Sequence, residues 1–163
     1  MPRDLARDLA AARVQPAVEP LPVRRAVLDL NGTSTPAILM TSPSRVTWAV
    51  RLPERAELHA TAAIVPDTDP ARAAGVTVRI GVSDDRTYDE LARVTLLPPA
   101  PGSRAAWHPV VIDLTPYSGR KWSLFYRPSR VTWQVIVNAD ATPGGTVAIG
   151  SLDVRPYGGL RRR

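Results

Sequence analysis

Residues 43–50 read PSRVTWAV and residues 128–135 read PSRVTWQV, so the two stretches differ only at Ala49 and Gln134. Each is a strand written with a period of two. In the first, Val46, Trp48 and Val50 fall on one face and Arg45, Thr47 and Ala49 on the other. In the second, Val131, Trp133, Val135 and Val137 oppose Arg130, Thr132 and Gln134. β-Branched and aromatic residues on one face suit a pleated surface packed on a core. The pattern predicts two tryptophan-bearing core strands, one early and one late, around which a β-sandwich closes. The copies read either as a duplicated hairpin or as convergence on residue types that sandwich strands share, because their flanks agree poorly. Arg45 and Arg130 hold matching places on a face read as solvated.

Outward from the repeat, the same alternation recurs. Strands are expected from about Arg25 to a turn at Asn31-Gly32, over Ala37–Thr41, Arg45–Leu52 and Glu57–Val65, and over Val76–Ser83. Tyr88–Leu97 is extended or mixed, with a helical turn at DELAR as the other option. Further strands are expected over Trp107–Leu114, Lys121–Tyr126, the second tryptophan stretch and Thr146–Val154, with NADATPGG as a turn. About ten short, turn-separated strands imply an all-β fold, a two-sheet β-sandwich or jelly roll.

The ends differ from this body. Residues 2–14 are expected to form a short helix, with Leu5, Leu9 and Ala12 on one stripe, Pro2 in the first turn and Asp4 at the positive end. A helix of about three turns is marginal alone, so it needs something to lie on. QPAVEPLPV, residues 15–23, reads as an extended arm. RPYGGLRRR closes the chain as a basic tail. The expected organisation is therefore helix and arm 1–23, sandwich 24–155 and tail 156–163.

The chain has 163 residues, enough for one domain with a sizeable core. Its 17 prolines and 10 glycines suit a fold with many turns, and the absence of cysteine excludes disulfides and thiol chemistry. MPRDLARDLAAARVQ carries charges throughout and lacks an apolar signal core, and no stretch approaches the ~20 apolar residues of a membrane span. The expected location is cytoplasmic, or peripheral at a membrane. Lys and Arg outnumber Asp and Glu by 21 to 15, and Lys121 is the only lysine. That balance favours acidic partners or anionic surfaces. The arginines are scattered rather than striped among aromatics, so nucleic acid is not an expected partner.

Catalytic patterns are missing: no HExxH, P-loop or GxGxxG, and Ser118 in YSG lacks the nucleophile-elbow context. His59 and His108 sit on different expected strands. They are read as structural or solvated rather than as metal ligands with Glu57 or Asp113. Asp67, Asp69, Asp84 and Asp85 are read as turn residues before a calcium site. No cofactor, metal or enzymatic activity is expected.

WHPVVIDLTPYSGRKWSLFY, from Trp107 on, resembles a recurring segment of galactose-binding-like jelly-roll domains of bacterial proteins. In these a Trp opens a strand, an Asp-Leu pair ends it, and a Tyr-x-Gly turn follows. PSRVTWAVRLPERAELHATAAI, VTVRIGVSDDRTYDEL and TVAIGSLDV are similar to other strands of such domains, although Ile149 stands where the usual Trp precedes the Gly. The resemblance spans roughly residues 36–155. It implies the fold; many such domains bind sugars and others only dock.

The marginal arm, the basic tail and the missing catalytic set together point to a non-catalytic accessory subunit. It would clamp onto a larger assembly, such as the cytoplasmic face of a respiratory or photosynthetic complex. Leu5, Leu9, Arg13, Trp122, Arg161, Arg162 and Arg163 are the expected contacts with protein subunits or an anionic membrane surface. The alternative is a carbohydrate-binding module with an aromatic platform at Trp122, Tyr117 or Tyr157 and a glycan as partner.

Overall fold

A computed structural model describes residues 2–66, 75–100, 102–118, 132–140 and 145–157. Eleven strands are present among them: β1 (Arg3–Asp4), β2 (Arg13–Gln15), β3 (Val23–Leu30), β4 (Thr33–Thr41), β5 (Ser44–Val50), β6 (Ala56–Ile64), β7 (Val76–Ser83), β8 (Tyr88–Leu96), β9 (His108–Asp113), β10 (Trp133–Asp140) and β11 (Thr146–Pro156). A single helical turn, α1 (Thr115–Ser118), follows β9.

The strands form two antiparallel sheets. The first runs β3-β4-β11-β6-β9, with β1 also paired to β11; the second runs β2-β5-β10-β7-β8. Their inner faces share one core. Ile38, Met40, Leu58, Val147, Ile149 and Leu152 come from the first sheet, and Val46, Trp48, Val50, Val78, Val135 and Val137 from the second. The period-two reading of the repeat holds: Val46, Trp48 and Val50 are buried while Arg45 and Ala49 are exposed. Val135 and Val137 are fully buried and Trp133 packs at the core's margin. The two tryptophan strands are direct neighbours, paired Trp48 to Val135 and Val50 to Trp133. The Asn31-Gly32 turn joins β3 to β4 with both residues at positive φ, the geometry that two-residue hairpin loops require.

Several boundaries move. The DELAR segment is strand throughout, within β8. β10 runs on through Asp140, because Asn138 and Asp140 pair with Arg79 and Thr77 of β7. The expected strand 121–126 lies outside the described residues.

The N-terminal helix is corrected. Residues 3–15 form β1, a 3-10 turn at Leu9–Ala11 and β2. β1 joins the first sheet through Arg3 and Asp4 opposite Val154 and Asp153, and β2 joins the second through Arg13 and Val14 opposite Thr47 and Val46. Between them Leu5 is fully buried and its N–H donates to the Leu152 carbonyl at 2.8 Å. Leu9 and Ala12 pack on the same core. The physical reason is competition: a narrow-striped helix of about three turns is weak alone, whereas two short ladders bury the same leucines. The Arg3 side chain donates to the Ala49 carbonyl across the sheets at 2.9 Å and to Asp8 at 3.2 Å. Residues 2–15 therefore staple the two sheets together and belong to the sandwich.

Because Leu5 fills a closed site between sheets, Leu5→Ala should destabilise the fold by about 2–5 kcal/mol, the range for emptying a buried leucine site. A urea denaturation curve followed by tryptophan fluorescence measures it. A loss under about 0.5 kcal/mol, the range of a surface change, would mean that the segment is not a staple.

Candidate functional site

The outer face of the second sheet carries the densest set of functional side chains. Strand register places Arg13 (β2), Thr47 (β5), Ile136 (β10), Gly81 (β7) and Glu90 (β8) in one row. The next row holds Gln15, Arg45, Asn138, Arg79 and Arg93. β8 carries a bulge here: Ile80 pairs with Ala92 and Gly81 with Glu90, so Leu91 is extra. A bulge re-aims its neighbours, and Tyr88 is the aromatic that benefits.

The Tyr88 ring lies over Gly81. A Cβ on Gly81 would stand 2.6 Å from two ring carbons and 2.4 Å from the Asp89 carbonyl oxygen. Glycine is thus needed for close approach, not for its backbone angles. The ring is 40% exposed, so it offers a surface to solvent while its hydroxyl reaches toward Asn138. Burial raises the hydroxyl's pKa, helped by Glu90 and opposed by Arg79, Arg45 and Asn138, which keeps it a neutral donor and acceptor.

Around the ring run ladders of planar polar groups. Arg45 Nε donates to Asn138 Oδ1 at 2.6 Å. Arg79 pairs with Asp140 and, at 3.5 Å, with Glu90. Arg93 forks onto both Glu90 oxygens at 2.7 and 3.1 Å. Those bonds hold the Glu90 carboxyl below the usual glutamate range, Arg93's hydrogen bond first, then the charges of Arg93 and Arg79. Thr47 Oγ1 is buried without a hydrogen-bond partner, in a residue 6% exposed, and the buried Asn138 amide is turned to the Tyr88 hydroxyl. A flat ring beside fixed forks of donors and acceptors can stack on an apolar ring face and hydrogen-bond adjacent hydroxyls.

The first sheet has a shallower concavity on its outer side, of about 450 Å³, lined among others by Asp4, Arg7, Arg25, Ser151 and Asp153. Its charges are largely paired, Arg7 with Asp4 at 3.2 Å and Asp153 with Arg155 at 2.8 Å. Trp107 packs against Gly150 nearby, where a Cβ would stand 2.8 Å from the indole. No aromatic ring lines this groove, so it is the weaker candidate.

The expected site residues scatter. Leu5 and Leu9 are turned into the chain's own core, and Arg13 reaches the outer face of the second sheet. Trp122 and Arg161–Arg163 lie outside the described residues. Tyr117 is no open platform: it packs edge-to-face on Trp133 at 5.3 Å and 80°. Tyr157 is exposed beyond the end of β11, its N–H held by the Arg55 carbonyl. His59 bonds Glu57 at 2.9 Å on the first sheet's outer side, while His108 starts β9. Among the described residues no three potential metal ligands gather. Asp84 closes its own turn by accepting from the Arg86 and Thr87 N–H groups. Sequence reasoning missed Tyr88 and Asn138. The signal for Tyr88 was its place opposite Ser83, one outward position along β7 from the glycine that its ring covers, which only the pairing of β7 with β8 reveals.

No protein-family model matches the chain, and no curated protein matches it. Solved structures do. It superposes on a cleaved adhesin domain of Lys-gingipain from Porphyromonas gingivalis with a TM-score of 0.62 and 11% identity, over 97% of this chain and 99% of that one. TmCBM61, solved in complex with β-1,4-galactotriose, matches with a TM-score of 0.58 and 12% identity, over 91% of this chain and 90% of that one. The C-terminal family 22 carbohydrate-binding module of Clostridium thermocellum Xyn10B matches with 0.53 and 12%, over 92% and 88%. At these identities the shared property is the fold, which is the jelly-roll β-sandwich that the sequence resemblance implied. The docking subunit of a membrane bioenergetic complex is corrected. The matched structures are binding modules and an adhesin domain, and the segment expected to grip a partner is folded into this chain.

Two outcomes follow from the geometry of this face. Gly81→Ala should force Tyr88 and the β8 bulge to shift and cost about 1–3 kcal/mol of stability, as overpacking does; thermal melting with Tyr88→Ala as partner variant checks it, since removing the ring should relieve part of the loss. The Glu90 pKa is lowered on folding, so its contribution to stability is present above the ordinary glutamate value and fades as pH falls through the lowered one. The stability gap between the wild type and Glu90→Gln should stay constant above about pH 5 and close below it, read by urea titration at several pH values.

Proposed function

We propose that this protein is a non-catalytic carbohydrate-binding module whose saccharide lies on the outer face of the second sheet. The observation that carries the reading is the Tyr88 ring spread over Gly81, half exposed, with the Arg45–Asn138 and Arg79–Asp140–Glu90 ladders beside it. Sugars present both surfaces that this arrangement suits. Their C–H faces pack on aromatic rings, and their vicinal hydroxyls take paired bonds from planar side chains. The fold supports the reading, because it is shared with modules of this class, one of them solved with galactotriose bound.

The ligand would add to a prepared surface. The ring is held by the sheet and the forks are fixed by their neighbours, so little side-chain entropy is lost on binding. Binding through one sheet face leaves the core untouched.

A glycan array probed with the folded protein tests this, followed by calorimetry on any hit. Tyr88→Ala should weaken binding about tenfold or more, the worth of roughly 1.4 kcal/mol of stacking, with the melting profile otherwise cooperative. A folded protein that binds no glycan overturns the reading.

A further inference from the structure

The polar groups of the second sheet's outer face are not evenly satisfied, and the imbalance has one sign. Arg79 and Arg93 have carboxylates, supplied by Asp140 and Glu90. Arg45 spends Nε on Asn138 Oδ1, which leaves its two terminal nitrogens. Arg13 is exposed, directly across from Thr47, and no carboxylate pairs with Arg13 or Arg45 among the described residues. In this register Arg13 and Arg45 are diagonal neighbours, with Cα atoms about 7–8 Å apart on adjacent strands. Thr47 lies opposite Arg13 and two residues along β5 from Arg45, so the three side chains share one corner of the face.

From this pattern we propose that the saccharide is acidic, and that a carboxylate or sulfate ester seats between Arg13 and Arg45 while the sugar ring packs on Tyr88. The proposal rests on the carbohydrate reading and names the ligand's chemical class. The accessible unspent groups are donors, the guanidinium N–H groups of Arg13 and Arg45. A neutral sugar hydroxyl brings a donor of its own to every acceptor. A carboxylate or sulfate brings acceptors only, and it matches the guanidinium fork in shape as well as charge. Seated there, the anion would give Arg13 and Arg45 a counter-ion that no carboxylate among the described residues supplies. The neighbouring Arg79 and Arg93 are already neutralised and fix the rim instead.

Titration calorimetry of the full chain with three oligosaccharides tests it: a galacturonate trimer, a sulfated galactose trimer and neutral β-1,4-galactotriose. The expected result is at least about tenfold tighter binding of an acidic trimer than of the neutral one, with affinity falling as salt is raised. Preference for the uronate or for the sulfate identifies which group occupies the seat. Arg13→Gln, on an exposed edge strand, should cost about 10–100-fold for the acidic ligand while changing neutral binding less than about threefold; Arg45→Gln should weaken the acidic ligand at least as much. Neutral binding that depends on Tyr88 and equals acidic binding overturns the acidic proposal and leaves the carbohydrate reading standing. Acidic binding indifferent to both arginine variants also overturns it. Binding of none of the three by folded protein, together with an empty glycan array, brings down both.

Discussion

The pairing of β5 with β10 is the interaction on which the second sheet depends. Each tryptophan of the repeated octapeptide lies opposite a valine of the other copy, Trp48 against Val135 and Trp133 against Val50. The single differing position, Ala49 and Gln134, pairs with itself across the ladder, as a local two-fold relation between the strands requires. β5 then carries β2, and β10 carries β7 and β8. Split that ladder and the sheet becomes two ribbons with open edges, which are marginal alone. The inner side of the pair supplies Val46, Trp48, Val135 and Val137 to the core, and the outer side supplies Arg45, Thr47 and Asn138 to the face. One ladder thus sets both the packing and the surface chemistry.

That ladder also shows why much of the fold was legible. Both strands meet the same environment, a middle position with one side dry, so the same alternation is written twice. Val76–Ser83 and Ala56–Ile64 announce themselves in the same way, and Asn31-Gly32 announces its hairpin. Residues 3–15 do not. Their stripe of Leu5, Leu9 and Ala12 fits a helix as well as anything local can, and only the partners Leu152, Val154 and Thr47, distant in sequence, decide for strands. Local pattern cannot express a contact whose other half is about 150 residues away.

The binding face was less legible for a related reason. Its members come from β2, β5, β7, β8 and β10, and no two of the central ones are adjacent in sequence. Tyr88 reads as one more residue after a turn until the register sets it over Gly81. Asn138 reads as a turn residue until β10 is seen to continue past it. Arg13 was singled out from the sequence, but as part of a clamp rather than as part of a sheet. Of the aromatic residues expected as platforms, Tyr117 supports Trp133 and Tyr157 stands exposed beyond the end of β11, away from this face.

β11 is the last strand among the described residues, yet it lies in the interior of the first sheet, with β4 and β1 along one side and β6 along the other. During synthesis the β3–β4 hairpin and the β6–β9 pair must therefore wait, each with an unmatched edge, until β11 has left the ribosome. Strand pairings this distant close slowly, and open edges invite association with other nascent chains. A chain stalled before residue 146 would hold both of those open-edged pieces and none of the strand that joins them.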